Sequence, residues 1–425
     1  MSKIDNMNKL LEIVKKETIP ALGCTEPVAV AYAVSVANKY LDGEMKSLDI
    51  KVSKNIFKNG KSVIIPNTGE RGLDLAGGLG AVCGDPEEGL MVLKDVDKKS
   101  IYKVHNIIDE DKINVDYIKD SPDVYVEVLA KSEDTDVKVI LKDSHNHIDT
   151  VEVNGELVYN NAFEKEKTQD EFLKEISFEE IKDIVETVPI EELAFIEDGI
   201  KMNKKAADLG TTEKKGMGIG FALKELSEEG KLNLNGATKA RILTAAAADT
   251  RMGGETCPIM TSAGSGNQGL GVVLPIMVIA EENNIEKEKL IRAIFFAHII
   301  NKYVKLFTGK LSYMCGCGIA AGVGASAGIS WMLGGNLKQI SGACNNMLSN
   351  LTGMVCDGAK ETCALKLSTS AEEAVISAYL ANKNIMPEPN IGVVGNTIEE
   401  TIRNIGELCK AGLPSMDSAI IDIID

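Results

Sequence analysis

Between Leu311 and Val355 the chain carries a single charged residue, Lys338, and thiols stand at both ends of this stretch. It opens Met314-Cys315-Gly316-Cys317-Gly318 and leads into Cys356-Asp357-Gly358-Ala359-Lys360-Glu361-Thr362-Cys363. A segment this poor in charge belongs in the interior, where apolar and small side chains escape water. Leu311–Leu337 is long enough to pass for a membrane span. Its Ala, Gly and Ser content, and its lack of basic flanks and an aromatic belt, argue instead for a helix buried in protein. Buried thiols at both ends imply that the segment wraps around something, read here as an iron–sulfur cluster.

With 425 residues the chain has room for two or three domains and sizeable cores. Hydrophobic content of 44% and charged content of 26% are ordinary for a soluble globular protein. A net charge of −17 argues against nucleic acid and against an anionic membrane as partners. Nine cysteines are too sparse for a disulfide scaffold, and the lysine-rich start reads as an amphipathic helix rather than a secretory segment. A reducing cytoplasm is the expected compartment, which makes the cysteines thiols, metal ligands or catalytic groups. Aromatics are only 4%, so the core must be built from Ala, Ile, Leu, Val and Met.

The periodicity gives an α+β chain: N-terminal helices and a β-rich module, then a largely all-helical C-terminal catalytic domain. The expected boundaries are 1–44, 45–165 and 172–425, with Asn161–Asp170 as a charged linker. Met7–Thr18 and Val28–Leu41 read as helices, and Thr25 as the N-cap of the second. Cys24 then sits at a helix N-terminus, where unpaired N–H groups lower a thiol pKa; a plain buried cysteine is the competing reading. Leu48–Val52, Ser62–Ile65, Val124–Leu129, Val137–Leu141 and Ile148–Val153 alternate like strands, and Asn154-Gly155 signals a type I′ hairpin into Glu156–Tyr159. Pro66–Gly72, followed by the glycine-rich run Gly77–Gly84, reads as a plain turn or an anion-binding nest. His145 and His147, in a polar turn, read as solvated loop residues.

In the helical half, Gly253-Gly254-Glu255-Thr256-Cys257-Pro258 leads into Thr261-Ser262-Ala263-Gly264-Ser265-Gly266-Asn267-Gln268-Gly269 and then an apolar helix. Hydroxyls, an amide and free N–H groups at a helix start could cradle an amino-acid carboxylate; close helix packing through small residues is the alternative. No Gly-Lys-Ser/Thr follows, so it is not a P-loop, and no βαβ unit supports a dinucleotide fingerprint. The Cys356–Cys363 spacing, with a distant third thiol, matches neither structural zinc hooks nor ferredoxins.

These residues carry a resemblance covering almost the whole chain. It resembles the L-cysteine desulfidases, relatives of the iron–sulfur-dependent L-serine dehydratases (alpha-chain family). Leu22-Gly23-Cys24-Thr25-Glu26-Pro27 is similar to the desulfidase N-terminal motif. Cys356-Asp357 and Cys363 are similar to the cluster-ligand pair, which serine dehydratases space more widely. Gly316-Cys317 with Gly322-Val323-Gly324-Ala325-Ser326 matches the region of the dehydratase first ligand, and Thr261–Gly269 the substrate loop. The resemblance implies α,β-elimination of L-cysteine to sulfide, ammonia and pyruvate at a [4Fe-4S] cluster held by Cys317, Cys356 and Cys363. Its one open iron would serve as a Lewis acid. Cys315 competes with Cys317 as first ligand. Cys24 is the expected base, and Thr68, Gly69, Ser262, Gly264, Ser265 and Asn267 are the expected substrate contacts. No pyridoxal phosphate is expected.

No counterpart of the dehydratases' Ser-Ser-His-Thr segment is present, which points away from L-serine as main substrate. An L-serine dehydratase, a sulfur donor for cluster or tRNA thiolation, and a structural zinc or redox-sensing protein remain as competing readings. Oligomeric state is left open, a homodimer included.

Overall fold

The computed structural model describes residues 3–161, 172–309, 314–412 and 416–424. Helices α1 (Lys3–Glu17) and α2 (Thr25–Tyr40) flank the short strand β1 (Pro20–Ala21). The β-rich module holds β2 (Ser47–Ser53), β3 (Ile113–Ile118), β4 (Tyr125–Lys131), β5 (Asp136–Lys142), β6 (Ile148–Val153) and β7 (Glu156–Asn160). Helices α3 (Lys54–Lys61), α4 (Leu73–Cys83) and α5 (Lys98–Asp109) lie between β2 and β3. Next come α6 (Phe178–Thr187), α7 (Ala194–Thr212), α8 (Ile219–Glu228), α9 (Gly236–Met252), β8 (Ile259–Met260), α10 (Gly266–Glu282) and α11 (Lys287–Thr308). The chain ends with α12 (Ala320–Met332), α13 (Leu337–Leu351), α14 (Cys363–Asn382), α15 (Ile398–Gly412) and α16 (Met416–Ile424). The α+β class is as expected. The charged linker falls almost wholly outside the described residues.

The sheet runs β3-β2-β4-β5-β6-β7 and is antiparallel except for the β2–β3 pair, whose parallel crossover is made by α3 to α5. Val126, Val128, Ala130, Val137, Val139 and Leu141 form its buried face against Val30, Val34 and Ala37 of α2. Each fully buried aliphatic side chain contributes about 1.5–3 kcal/mol, more than the whole span of strand propensities. Burial therefore sets the register, because a one-residue slip would turn that row to solvent. Asn154 and Gly155, at φ 50° and 82°, make the expected hairpin between β6 and β7.

Period-two alternation underestimates the helix in this module. Ser62–Ile65 is not a strand; Ile64 makes only an isolated bridge with Arg71, closing a turn. The run Gly77–Gly84 is neither turn nor nest but belongs mostly to α4. Its glycines permit backbone contact between helices, since a Cβ on Gly80 would lie 2.2 Å from the carbonyl oxygen of Ala31 in α2. The charge-poor stretch is likewise packed in protein: a Cβ on Gly324 of α12 would lie 2.5 Å from the Ala297 carbonyl oxygen in α11. Among the described residues no helix is long and apolar enough to cross a membrane.

Two local devices place the functional segments side by side. The antiparallel pair β1–β8 (Pro20↔Met260, Ala21↔Ile259) brings the residues before Cys24 next to those before Ser262. The bridge Met314↔Val355, with the Cys315 N–H donating to the Met354 carbonyl at 2.8 Å, joins the two thiol-bearing loops.

Candidate active site

A cavity of about 120 Å³ lies where these segments meet. Cys24, Gly264, Ser265, Asn267, Cys315, Cys317, Cys356 and Cys363 all line it.

Cys24, not Thr25, is the N-cap of α2, and Thr25 is already helical. Its sulfhydryl makes no capping bond to the helix. Instead it donates to Glu26 Oε2 at 2.8 Å. The thiol is 2% exposed, and burial, followed by the Glu26 charge, pushes its pKa well above the ordinary range. The lowered thiol pKa expected from the helix N-terminus is therefore corrected: burial, reinforced by the neighbouring Glu26 carboxylate, outweighs the helix dipole.

Glu26 is itself 7% exposed, with Thr25 Oγ1 donating to Oε2 at 3.1 Å and Asn59 Nδ2 to Oε1 at 3.0 Å. Burial opposes its ionisation. The charge of His145, the Cys24 hydrogen bond and the charge of Arg251 together outweigh burial and hold the carboxyl below its usual range.

The loop after β8 is a tight turn. The Ser262 N–H donates to the Ser265 carbonyl and the Ser265 N–H to the Ser262 carbonyl, both at 3.0 Å, with Ala263 and Gly264 at φ 48° and 73°. These left-handed conformations suit a primed turn. The turn presents Ser265, whose Oγ is 3.9 Å from Cys317 Sγ. Asn267 Oδ1 accepts from Arg251 Nη1 at 2.9 Å. Ser262 faces the other way: its buried hydroxyl bonds His298 Nδ1 at 2.7 Å and accepts from Asn301 Nδ2 at 2.9 Å. It supports the turn from behind rather than lining the cavity. Thr68 and Gly69 also stand outside the cavity lining; the Thr68 hydroxyl donates to the Ile65 carbonyl at 2.9 Å within its own turn.

The thiol wall is crowded with charge. The Cys315 pKa is raised well above the ordinary range by its hydrogen bond to Cys317, by burial and by the Cys317 charge. Burial raises Cys356, and it pushes Cys363 up to about 12 with help from Cys315 and Cys356. Against them stand Lys58, Lys305 and Lys366, all on the cavity lining. Lys366 Nζ donates to the Val355 carbonyl at 2.8 Å, and burial lowers the Lys305 pKa. Lys302 pairs with Glu17 at 2.5 Å on the same lining.

Among the described residues no three His, Cys, Asp or Glu side chains could hold a single metal ion. A four-iron cluster makes a different demand, taking each thiolate on a separate iron. The donor set fits such a group: Cys356 and Cys363 are pushed up by burial and by neighbouring thiols, and a metal bound among thiols favours their ionised forms.

Several cavity residues were not legible as site residues. Glu26 carries a signal, being a charge in the first turn of an otherwise largely apolar helix where an unpaired ion is costly, whereas Arg251 shares its helix with Lys239, Arg241 and Asp249 and does not stand out. His145, read from sequence as a solvated loop residue, is instead on the cavity lining beside Glu26.

The chain belongs to the family described as serine dehydratase alpha chain, which matches residues 87–422 and comprises lyase-type enzymes. A "UPF0597 protein" from Clostridium botulinum strain Okra is 54% identical over 425 residues, covering 100% of this chain and 98% of that one. One from Caldanaerobacter subterraneus is 42% identical over 421 residues, covering 98% and 97%. Another, from Clostridium tetani, is 39% identical over 418 residues, with the same coverage.

Proposed function

We propose that the protein is an L-cysteine desulfidase, eliminating sulfide from L-cysteine to leave ammonia and pyruvate. The observation that carries this reading is one small cavity holding Cys24, four further thiols and the cations Arg251, Lys302 and Lys305. Cys317, Cys356 and Cys363 would hold a [4Fe-4S] cluster, whose soft, electron-accepting iron favours departure of a sulfur leaving group. Ser265 and Asn267 orient the substrate carboxylate, with Arg251 holding Asn267 in place. Cys24 passes its proton to Glu26 across their hydrogen bond and then takes the Cα proton of the substrate. The electron pair left on carbon forms the double bond as the β-sulfur departs with its own bonding pair, and the enamine hydrolyses in water. Ser265→Ala should cost about 1–3 kcal/mol in kcat/KM, through KM, as one buried hydrogen-bonding partner is lost.

The family match favours a second reading, L-serine dehydration on the same residues. Anaerobic assay of the iron-loaded protein separates them. The desulfidase reading expects equal amounts of sulfide and pyruvate from L-cysteine and a much smaller pyruvate yield from L-serine. Pyruvate from L-serine without sulfide from L-cysteine would replace it with the dehydratase reading. Sulfide that appears only when an acceptor protein is present, with little pyruvate, would indicate a sulfur donor.

A further inference from the structure

Among the described residues, Asn55, Asn59 and Gln268 line the cavity at 8%, 5% and 3% exposure, each with a buried amide oxygen that no donor meets. An acceptor sealed from water and left unpaired is costly, and native proteins keep few of them. Glu17 also has an unpartnered oxygen on this lining, but its other oxygen already holds Lys302.

Asn55 and Asn59 stand four residues apart on α3 and so share one face of that helix. Ser53 caps α3, its hydroxyl accepting from the Ile56 N–H at 3.3 Å and donating to the Asp123 carbonyl at 2.8 Å. The same helix is packed against the thiol wall, since a Cβ on Gly358 would lie 2.7 Å from the Lys58 carbonyl oxygen. Gln268 comes from the helical half, in the first turn of α10, and a Cβ on Gly316 would lie 3.1 Å from its Nε2. Asn59 is oriented by its other end: Nδ2 donates to Glu26 Oε1 at 3.0 Å, which turns Oδ1 away from that carboxylate.

These oxygens only accept. A carboxylate or a thiolate offers them nothing, whereas a primary ammonium brings three N–H donors. Resting on the desulfidase reading, we propose that Asn55, Asn59 and Gln268 form the subsite for the substrate α-ammonium and make the protein selective for α-amino acids over their des-amino analogues. Asn59 then joins binding to chemistry. Its oxygen holds the ammonium while its nitrogen holds Glu26, and the Cys24 thiol donates to that same carboxylate at 2.8 Å. The Cα, one bond from the ammonium nitrogen, is thereby kept beside Cys24. Amides do not titrate, so the subsite leaves Glu26 to take the proton from Cys24.

Calorimetric titration of the full-length, iron-loaded Cys24→Ser protein, in which L-cysteine binds without elimination, tests this. 3-Mercaptopropionate is L-cysteine without its ammonium, and it should bind about 10-fold more weakly or worse. Asn55→Leu and Gln268→Met, each close in volume to the residue it replaces, should each weaken L-cysteine by about 10-fold and leave 3-mercaptopropionate unchanged. Equal binding of the two ligands, or binding of neither, before any amide is replaced overturns the subsite, even if the amide variants fail to fold. A loss shared equally by both ligands overturns it too, because the amides would then be structural. So does unchanged L-cysteine binding in either variant. Wild-type protein that releases neither sulfide nor pyruvate from L-cysteine removes the desulfidase reading itself. Active wild type whose Cys24→Ser form binds both ligands alike removes the subsite alone.

Discussion

Single replacement of Cys317, Cys356 or Cys363 by Ser should abolish the visible absorption of protein loaded anaerobically with iron and sulfide. A serine hydroxyl ionises at far higher pH than a thiol and is a harder donor, so it does not replace thiolate on iron. The raised pKa values of Cys356 and Cys363 add a pH signature. Each thiol must release a proton to bind metal, so loading should weaken as pH falls. Cys315→Ser should keep the colour, since Cys317 stands at the mouth of the substrate loop, 3.9 Å from Ser265 Oγ. A colourless Cys315→Ser protein beside a coloured Cys317→Ser protein would make Cys315 the first ligand instead.

The second large effect is on the proton-handling pair. Cys24→Ser should retain the visible absorption and lose about 10²–10⁴ in kcat, because a hydroxyl is far too weak a base near neutrality. Glu26→Gln should lose kcat on the same scale, since an amide cannot take the Cys24 proton across their 2.8 Å contact. The sign of the pH dependence follows from the raised Cys24 pKa. The base works unprotonated, so its competent fraction grows as pH rises, and the rate should climb through the alkaline range. A low-pKa thiolate would give a flat profile there. Loss of colour in Cys24→Ser would make Cys24 a ligand, and full activity would make it a bystander.

The residues that announce themselves in the sequence are those whose chemistry is local. Asn154-Gly155 specifies its hairpin because only a primed turn fits two successive positive φ values. The charge-poor stretch around α12 is legible because burial excludes charge whatever the topology. The Gly77–Gly84 run misleads because glycine marks both turns and close helix contacts. Only the approach of α4 to the Ala31 carbonyl decides between them. Ser262 and Ser265 look equivalent in sequence, yet the tight turn sends one hydroxyl to His298 and the other toward Cys317. Cys24 is the clearest case: its place at a helix start is readable, but its thiol answers to Glu26, a partner on the same turn whose burial is a tertiary fact.

The most direct measurement is an anaerobic titration of the iron-loaded protein with L-cysteine and, separately, with L-alanine, followed in the visible spectrum. L-Alanine offers the same carboxylate and ammonium without sulfur. L-Cysteine should perturb the spectrum at concentrations that support sulfide release, while L-alanine should leave it nearly unchanged. Sulfide release with no spectral response to L-cysteine would contradict the account, because substrate sulfur and the Cys317–Cys356–Cys363 wall would then not meet.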